Sequence, residues 1–254
     1  MILFKSLIIA LSTYSVIPMP QIKWDERYMK YAICFFPVVG IICGLLIYGW
    51  YELSLWLKLS PLLFSAVAVC IPVVISGGIH VDGFMDTVDA LSSHRSKEEK
   101  LKILKDPDCG AFSVIYCVLY FLTLTSFYYE LYCQTHITVI CPVYVISRCF
   151  SALCAVNMQN ARKEGMLNSY IANISKVPVN IILVLFLVTA LCLMLFLSIY
   201  VALFSILLIL LSVLFYIRIT KKEFGGVTGD TSGFLLQICE ILSVLGALTG
   251  VIIL

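Results

Sequence analysis

Three aspartates, Asp82, Asp86 and Asp89, stand at i, i+4 and i+7 in the densest polar stretch of the chain. That stretch reads Ser76-Gly77-Gly78-Ile79-His80-Val81-Asp82-Gly83-Phe84-Met85-Asp86-Thr87-Val88-Asp89. On a helix the spacing puts the three acids on one face. Carboxylates that close repel one another and cannot all ionise in a poorly hydrated site. A divalent cation removes the conflict, and hard oxygen ligands suit Mg²⁺, with Mn²⁺ as the alternative. Asp82, Asp86 and Asp89 are therefore candidate metal ligands. Gly77, Gly78 and Gly83 let a backbone or a phosphate approach closely. His80 is a candidate phosphate contact or base, against a plain capping role. The bland reading of the whole stretch is a solvated acidic helix cap. Val81, Phe84, Met85 and Val88 interleave with the acids and argue instead for partial burial.

The next segment, Ser96 to Asp106, reads as an amphipathic helix with Leu101 and Leu104 on one side and Lys97, Lys100, Lys102 and Lys105 on the other. Such a helix can lie on a membrane surface. It can also hold phosphates beside the acidic site, with Lys102 and Lys105 as the contacts. Asp106, just before Pro107, closes the segment and is a further candidate acid.

A second polar motif, Gly225-Gly226-Val227-Thr228-Gly229-Asp230-Thr231-Ser232-Gly233, follows Lys221-Lys222. Glycines and hydroxyls leading into a helix can turn backbone N–H groups toward an anion. Gly225, Gly226, Thr228, Gly229 and Asp230 are the candidates there. An ordinary turn with Asp230 to Ser232 capping the last helix explains much of the same pattern. Two charges lie inside apolar runs. Arg148 is placed to meet a phosphate or an acid. Glu240 reads as a functional acid or as a hydrogen-bonded structural one. His94 and His136 point to nothing.

The elements that must position these residues cross a membrane. Of 254 residues 61% are hydrophobic and only 13% charged, whereas a soluble domain carries about a quarter charged. One core cannot hide that apolar excess. A net charge of +2 is too balanced for a nucleic-acid binder. The eleven cysteines include no C-x-x-C pair and sit mostly in apolar runs, where cysteine packs as a small hydrophobe. The apolar N-terminus, Met1 to Pro20, lacks an A-x-A-like cleavage site and reads as a retained segment.

Uncharged intervals locate the spans at 31–51, 59–81, 109–129 and 131–157, the last crossing Arg148. An interval of 21 residues reaches about 31 Å as a helix, one hydrocarbon thickness. Between Lys176 and Arg218 the chain is uncharged for about twice that depth, so two helices with a tight turn near Ser198 to Tyr200 are expected. The last span covers about 233–254. With the N-terminal segment, the expectation is an all-α polytopic membrane protein of seven or eight transmembrane helices, forming one domain over 1–254. No period-2 alternation supports a barrel.

Basic residues fix the orientation. Lys23, Arg27 and Lys30 share one connection, and Arg95, Lys97, Lys100, Lys102 and Lys105 a second. Arg162, Lys163 and Lys176 share a third, and Arg218, Lys221 and Lys222 a fourth. Counting spans puts all four on one side, expected to be the cytoplasmic face of a bacterial cell membrane. The candidate site lies on that side.

At these residues the sequence resembles the cobalamin synthase family, also called adenosylcobinamide-GDP ribazoletransferase. The resemblance rests on Gly77-Gly78-x-His80-x-Asp82-Gly83-x-x-Asp86-Thr87-x-Asp89, then on Lys105-Asp106 and Gly110. It continues through Ser147-Arg148, Glu164-Gly165 with Asn168, and Gly225-Gly226-x-Thr228-Gly229-Asp230-Thr231-x-Gly233. Pro18-Met19-Pro20 and Phe36-Pro37-Val38-Val39-Gly40 resemble the family's N-terminal signatures. Where the family often has a basic residue before the I-P-x-P element, this chain has Val16. The resemblance implies a Mg²⁺-dependent transferase in the membrane. It would move cobinamide phosphate from adenosylcobinamide-GDP to a ribose hydroxyl of α-ribazole or its 5′-phosphate, releasing GMP. Membrane lipid is an implied partner and nucleic acid is not. A homo-oligomer is left open.

Two other readings compete. A CDP-alcohol phosphotransferase of phospholipid synthesis also uses a D-G-x-x motif, but its following Ala-Arg is replaced here by Asp86-Thr87. A cation or proton transporter would use Asp82, Asp86, Asp89 and Glu240 as relays, but no repeat supports it.

Overall fold

The computed structural model describes residues 1–22, 25–134, 137–162, 166–171 and 174–253. The described chain is helical throughout. Its elements are α1 Ile2–Tyr14, α2 Glu26–Met29, α3 Phe36–Trp56, α4 Pro61–Ser76, α5 Ile79–Ser92 and α6 Lys97–Ile103. They continue with α7 Ala111–Cys133, α8 Cys141–Asn157, α9 Met166–Ile171, α10 Lys176–Leu197, α11 Ile199–Glu223 and α12 Gly229–Ile253. Short 3₁₀ turns at Ala32–Phe35 and Ile137–Ile140 lead into α3 and α8. The eleven cysteines are free thiols.

Among the described residues, six helical segments are long and apolar enough to cross a membrane, or seven if the bent pair α4–α5 is counted as one span. Apolar side chains on the outer faces of α7, α10 and α11 stay exposed, among them Leu122, Leu185, Phe196 and Leu214. Such faces are at home against lipid tails. The molecule is thus a multi-pass α-helical membrane protein. At 13 residues, about 20 Å, α1 is too short to cross. Its end is tied to the rest of the fold, because Thr13 bonds Tyr170 and the Val16 N–H donates to the Ile75 carbonyl.

The expected turn between α10 and α11 falls at Ser198, a single extended residue with φ −164°. The second uncharged interval, expected as one span over 59–81, is broken. Ser60 caps α4 at its start, accepting from the Leu63 N–H, and Pro61 follows. The helix then stops at Ser76, because Gly77 and Gly78 both adopt left-handed backbone (φ 63° and 80°). Glycine reaches that region without a Cβ penalty. The chain turns by 93° into α5. With 14 residues and three aspartates, α5 is too short and too polar to cross. It lies across one end of the bundle, against α12 and α7.

The helix expected over 96–106 is the shorter α6, opened by a capping box between Ser96 and Glu99. One of its lysines, Lys100, is buried and pairs with Glu223 at the end of α11. The connection after α8 joins the same end. Asn160 and Val227 form an isolated parallel bridge, with Ala161 N–H donating to the Val227 carbonyl and Val227 N–H to the Gln159 carbonyl. The polar segments 77–110, 158–162 and 220–232 are therefore gathered at one end of the bundle.

Small residues bring the helices close enough to hold this end rigid. Gly44 of α3 faces the Cys141 carbonyl of α8, where a Cβ would stand at 2.7 Å. Gly246 and Gly250 of α12 face Ser205 and Val201 of α11. Close backbone approach through small residues is how membrane helices gain packing when lipid offers no hydrophobic drive.

Candidate active site

At the polar end, four aspartates from two helices lie together. Asp82, Asp86 and Asp89 share a face of α5, as their spacing implies, and Asp230 comes from the first turn of α12. The two helices are locked by glycine. A Cβ on Gly83 would stand 2.8 Å from the Asp230 carbonyl oxygen, and one on Gly233 would stand 2.9 Å from the His80 carbonyl oxygen. Asp89 is directed at the start of α7, where its carboxylate fills the space beside Gly110. Burial, with Asp82, Asp230 and Asp89 nearby, pushes the Asp86 carboxyl up to about 7. The repulsion argued from the spacing is therefore present, joined by a fourth acid from a distant part of the chain.

Among the described residues, no three His, Cys, Asp or Glu side chains converge into a closed metal cage. The acids form an open, all-oxygen surface. That donor set still fits Mg²⁺, which characteristically takes one or two carboxylates and completes its shell with water and substrate phosphates. Arg162 stands in the same cluster. Its Nη2 donates to the Leu101 carbonyl at 2.8 Å, its Nη1 lies 3.6 Å from Asp230 Oδ2, and its buried Nε has no partner among the described residues. The sequence flags Arg162 only as part of a basic connection. Nothing in local spacing reveals that the chain brings it to Asp230, 68 positions on.

Beside the acids opens a cleft of about 380 Å³. Its wall is a run of rings, Tyr170, Tyr14, Phe36 and His80, with successive centroids 6.1, 4.4 and 5.4 Å apart. Asp82 and Asp230 stand at its polar edge. His80 is 7% exposed and its Nε2 has no hydrogen-bond partner among the described residues. Burial, reinforced by the charge of Arg148, pulls its imidazole down to about 3. His80 is thus uncharged at neutral pH, which fits neither an ionic phosphate contact nor an effective base.

Other expected phosphate contacts have different local work. Gly77 and Gly78 close α4, their N–H groups bonding to Val74 and Val73 carbonyls. The Gly226 N–H donates to the Thr220 carbonyl, and Gly226 presses on Gln159 and Asn160. Thr228 and Thr231 cap α12 reciprocally, each N–H donating to the other's hydroxyl at 2.8 and 3.1 Å. The cap therefore comes from Thr228 together with Thr231 of the expected Asp230 to Ser232, and Asp230 is left facing the cluster. Gly225 and Gly229 are exposed, with open space where a Cβ would be. Lys102, Lys105 and Asp106 are exposed around the end of α6, and Asp106 accepts from the Asp108 N–H. Of the two partners the sequence offers Arg148, the structure supplies the acid. Arg148 Nη1 donates to Glu240 Oε1 at 2.9 Å in the bundle interior, with side-chain exposures of 1% and 4%. This guanidinium does not face the polar end, so the expectation of a phosphate contact is replaced by an internal ion pair. Glu164 and Gly165 lie outside the described residues, as do Lys23, Lys163 and His136.

The Gly83 contact can be tested directly. Backbone atoms of Asp230 cannot swing aside, so Gly83→Ala should force α5 away from α12 and lower turnover at least about tenfold. Overpacking of this kind costs about 1–3 kcal/mol in stability. Gly49→Ala, with nothing within 4 Å of the new methyl, should change neither turnover nor melting temperature. Equal turnover of the Gly83 variant and the wild type would separate this contact from the site.

Fold and site together define a polytopic membrane enzyme with a carboxylate-rich centre at one end of its helices. The family described as Cobalamin-5-phosphate synthase matches residues 6–248. An adenosylcobinamide-GDP ribazoletransferase of Lachnoclostridium phytofermentans is 39% identical over 251 residues, covering 98% of this chain and 96% of that protein. One of Clostridium botulinum is 37% identical over 248 residues, with 96% and 97% covered. One of Clostridioides difficile is 30% identical over 247 residues, with 94% and 95% covered. No solved structure matches. The chain belongs to the cobalamin-5-phosphate synthase family and is a transferase of cobalamin synthesis.

Proposed function

We propose that the protein transfers cobinamide phosphate from adenosylcobinamide-GDP to a ribose hydroxyl of α-ribazole or α-ribazole 5′-phosphate. The observation that carries the reading is the meeting of Asp82 and Asp86 with Asp230 and Arg162 beside the cleft. The acceptor hydroxyl oxygen forms a bond to the phosphorus carrying cobinamide, and the bond from that phosphorus to the GMP oxygen breaks. GMP leaves, and the hydroxyl proton passes to a carboxylate of the cluster or to water. Two of Asp82, Asp86, Asp89 and Asp230 would hold Mg²⁺, or Mn²⁺ in its place, with water and substrate phosphate completing its shell. The cation would neutralise charge on the diphosphate and its leaving group. Arg162, held by the Leu101 carbonyl and Asp230, would contact a phosphate oxygen. Lys102 and Lys105, exposed at the same polar end, would add positive charge there.

The reading places the polar end in the cytoplasm, where nucleotides arrive, because Arg, Lys and their connections concentrate there. The protein then sits in the bacterial cell membrane with lipid around it. Purified protein given adenosylcobinamide-GDP, α-ribazole or its phosphate, and Mg²⁺ should yield one GMP per cobamide formed. Chelation should stop the reaction. Formation of GMP without a cobamide product, or no turnover with either acceptor, would overturn the reading.

A further inference from the structure

Of the three lysines in α6, Lys97 and Lys102 are exposed and Lys100 is turned inward, 4% exposed. Lysine is almost never so buried without a partner. Here the partner is Glu223, 123 positions on at the end of α11. Beside the pair, Leu104 packs with Ala90 of α5 and with Phe224, the residue after Glu223. Lys100 thus pins α6 against the end of α11. Buried ion pairs add little net stability, because desolvation offsets the attraction, and their best-attested use is to fix one arrangement among several. What this pair fixes lies one residue further on. At the end of α6 the Lys105 N–H bonds to the Lys102 carbonyl, which leaves the Leu101 carbonyl open. Arg162 Nη2 donates to that carbonyl at 2.8 Å. The Arg162 backbone is held separately, its N–H donating to Asn160 Oδ1 at 3.1 Å.

We propose that Lys100 and Glu223 are positioning residues for the transfer, acting through Arg162. The contacts run from Glu223 to Lys100, along the backbone to the Leu101 carbonyl, across to the Arg162 guanidinium, and end at Asp230. The inference rests on the proposed reaction, in which Arg162 contacts a phosphate oxygen, and deepens it. A long side chain such as arginine points in one direction only where contacts select one rotamer out of many. The Leu101 carbonyl makes that selection, and it is only as well placed as α6. With seven residues α6 is too short to hold its place by itself. Without the tie to Glu223, Leu101 shifts with α6 and the guanidinium loses its aim. Misplacing a group by about 1 Å costs up to about 10²-fold in rate. Lys100 is not itself a phosphate contact, since its ammonium is buried on Glu223.

Steady-state turnover of the full-length protein in detergent, with adenosylcobinamide-GDP, α-ribazole and Mg²⁺, supplies the test. Lys100→Met should lower kcat about 10–100-fold and leave the KM for α-ribazole unchanged. The variant should fold, because Glu223 keeps 23% of its side chain exposed and can be hydrated. Lys100→Arg, which keeps a cation for Glu223, should recover most of the loss. Glu223→Gln, which keeps an acceptor and removes only the charge, should lose about 3–10-fold in kcat. Lys97→Met, on the exposed side of the same helix, should turn over as wild type does. The deciding measurement is a double-mutant cycle. In an Arg162→Ala background, Lys100→Met should cost less than about twofold more, because the group it positions is already gone. Losses that multiply would make the pair a structural tie independent of Arg162 and overturn the inference. So would wild-type kcat in both Lys100→Met and Glu223→Gln while Arg162→Ala is impaired, and that result would leave the transferase reading intact. Failure of the wild type to form a cobamide with either acceptor would overturn that reading as well.

Discussion

Asp86→Asn should lose about 10²–10³-fold in turnover and most of its dependence on Mg²⁺ while folding normally. The magnitude is that of removing one preorganised charge-stabilising group from an active centre. Asparagine keeps the volume and removes the charge. Asp86 is half-buried, and its carboxyl is pushed up to about 7 by burial and then by Asp82, Asp230 and Asp89. That perturbation gives the variant a second signature. A folded-state value above the unfolded one means that the folded protein holds the extra proton. Asp86 therefore costs stability as the pH rises from the ordinary carboxylate range through about 7. A cation competes with the same proton. Mg²⁺ affinity of the wild type should thus climb with pH up to about 7 and then level off, while Asp86→Asn should lose that climb. Pairing it with Asp82→Asn should cost far less than the product of the single losses, because groups that act as a unit are not additive. Wild-type turnover by Asp86→Asn, with an unchanged Mg²⁺ requirement, would leave the acidic face a solvated helix end.

The fold was legible wherever it followed from charge spacing. The uncharged intervals mark α3, α7, α8 and α12, and the uncharged double length marks the break at Ser198. What they could not mark was the end of α4, since the interval 59–81 is uncharged on both sides of the turn. The signal was there in Gly77-Gly78, read as room for a phosphate when the two residues were the corner itself. The same confusion affects Gly226 and Thr228, whose small size and hydroxyl serve a tight contact and a helix cap. Within the site, the helical face of Asp82, Asp86 and Asp89 followed from a period of 3.6 residues. The fourth acid could be named but not placed, because Asp230 meets α5 only through the packing of Gly83 and Gly233. Arg162 and the ring wall were out of reach for the same reason. Tyr14, Phe36, His80 and Tyr170 come from four separate elements, and no spacing rule links them.

Glu240→Gln should unfold or strongly destabilise the protein, by about 3–5 kcal/mol, before any direct effect on chemistry can be seen. An acid two turns into a membrane helix reads as a functional group by default. Here its partner accounts for it. Glu240 Oε1 accepts from Arg148 Nη1 at 2.9 Å and from the Ser147 hydroxyl at 3.3 Å. The guanidinium also donates to the Tyr144 carbonyl, and the rings of Phe36 and Tyr144 lie 5.9 and 5.7 Å from it. Removing one member of a buried pair leaves the other as an uncompensated charge, which is what makes the loss so large. The pair itself is not required for a stable interior, since apolar residues of similar volume can replace both members at little cost. Arg148→Met with Glu240→Leu should therefore melt within about 1–2 kcal/mol of wild type, while each single variant falls well below it. Thermal unfolding in detergent measures this cycle. The double variant then isolates function, because it restores the fold without the charges. Phe36 links the pair to the cleft, so a restored protein with normal acceptor and donor KM assigns Arg148 and Glu240 to structure. A restored protein that has lost turnover would instead give the pair a role in the reaction despite its depth.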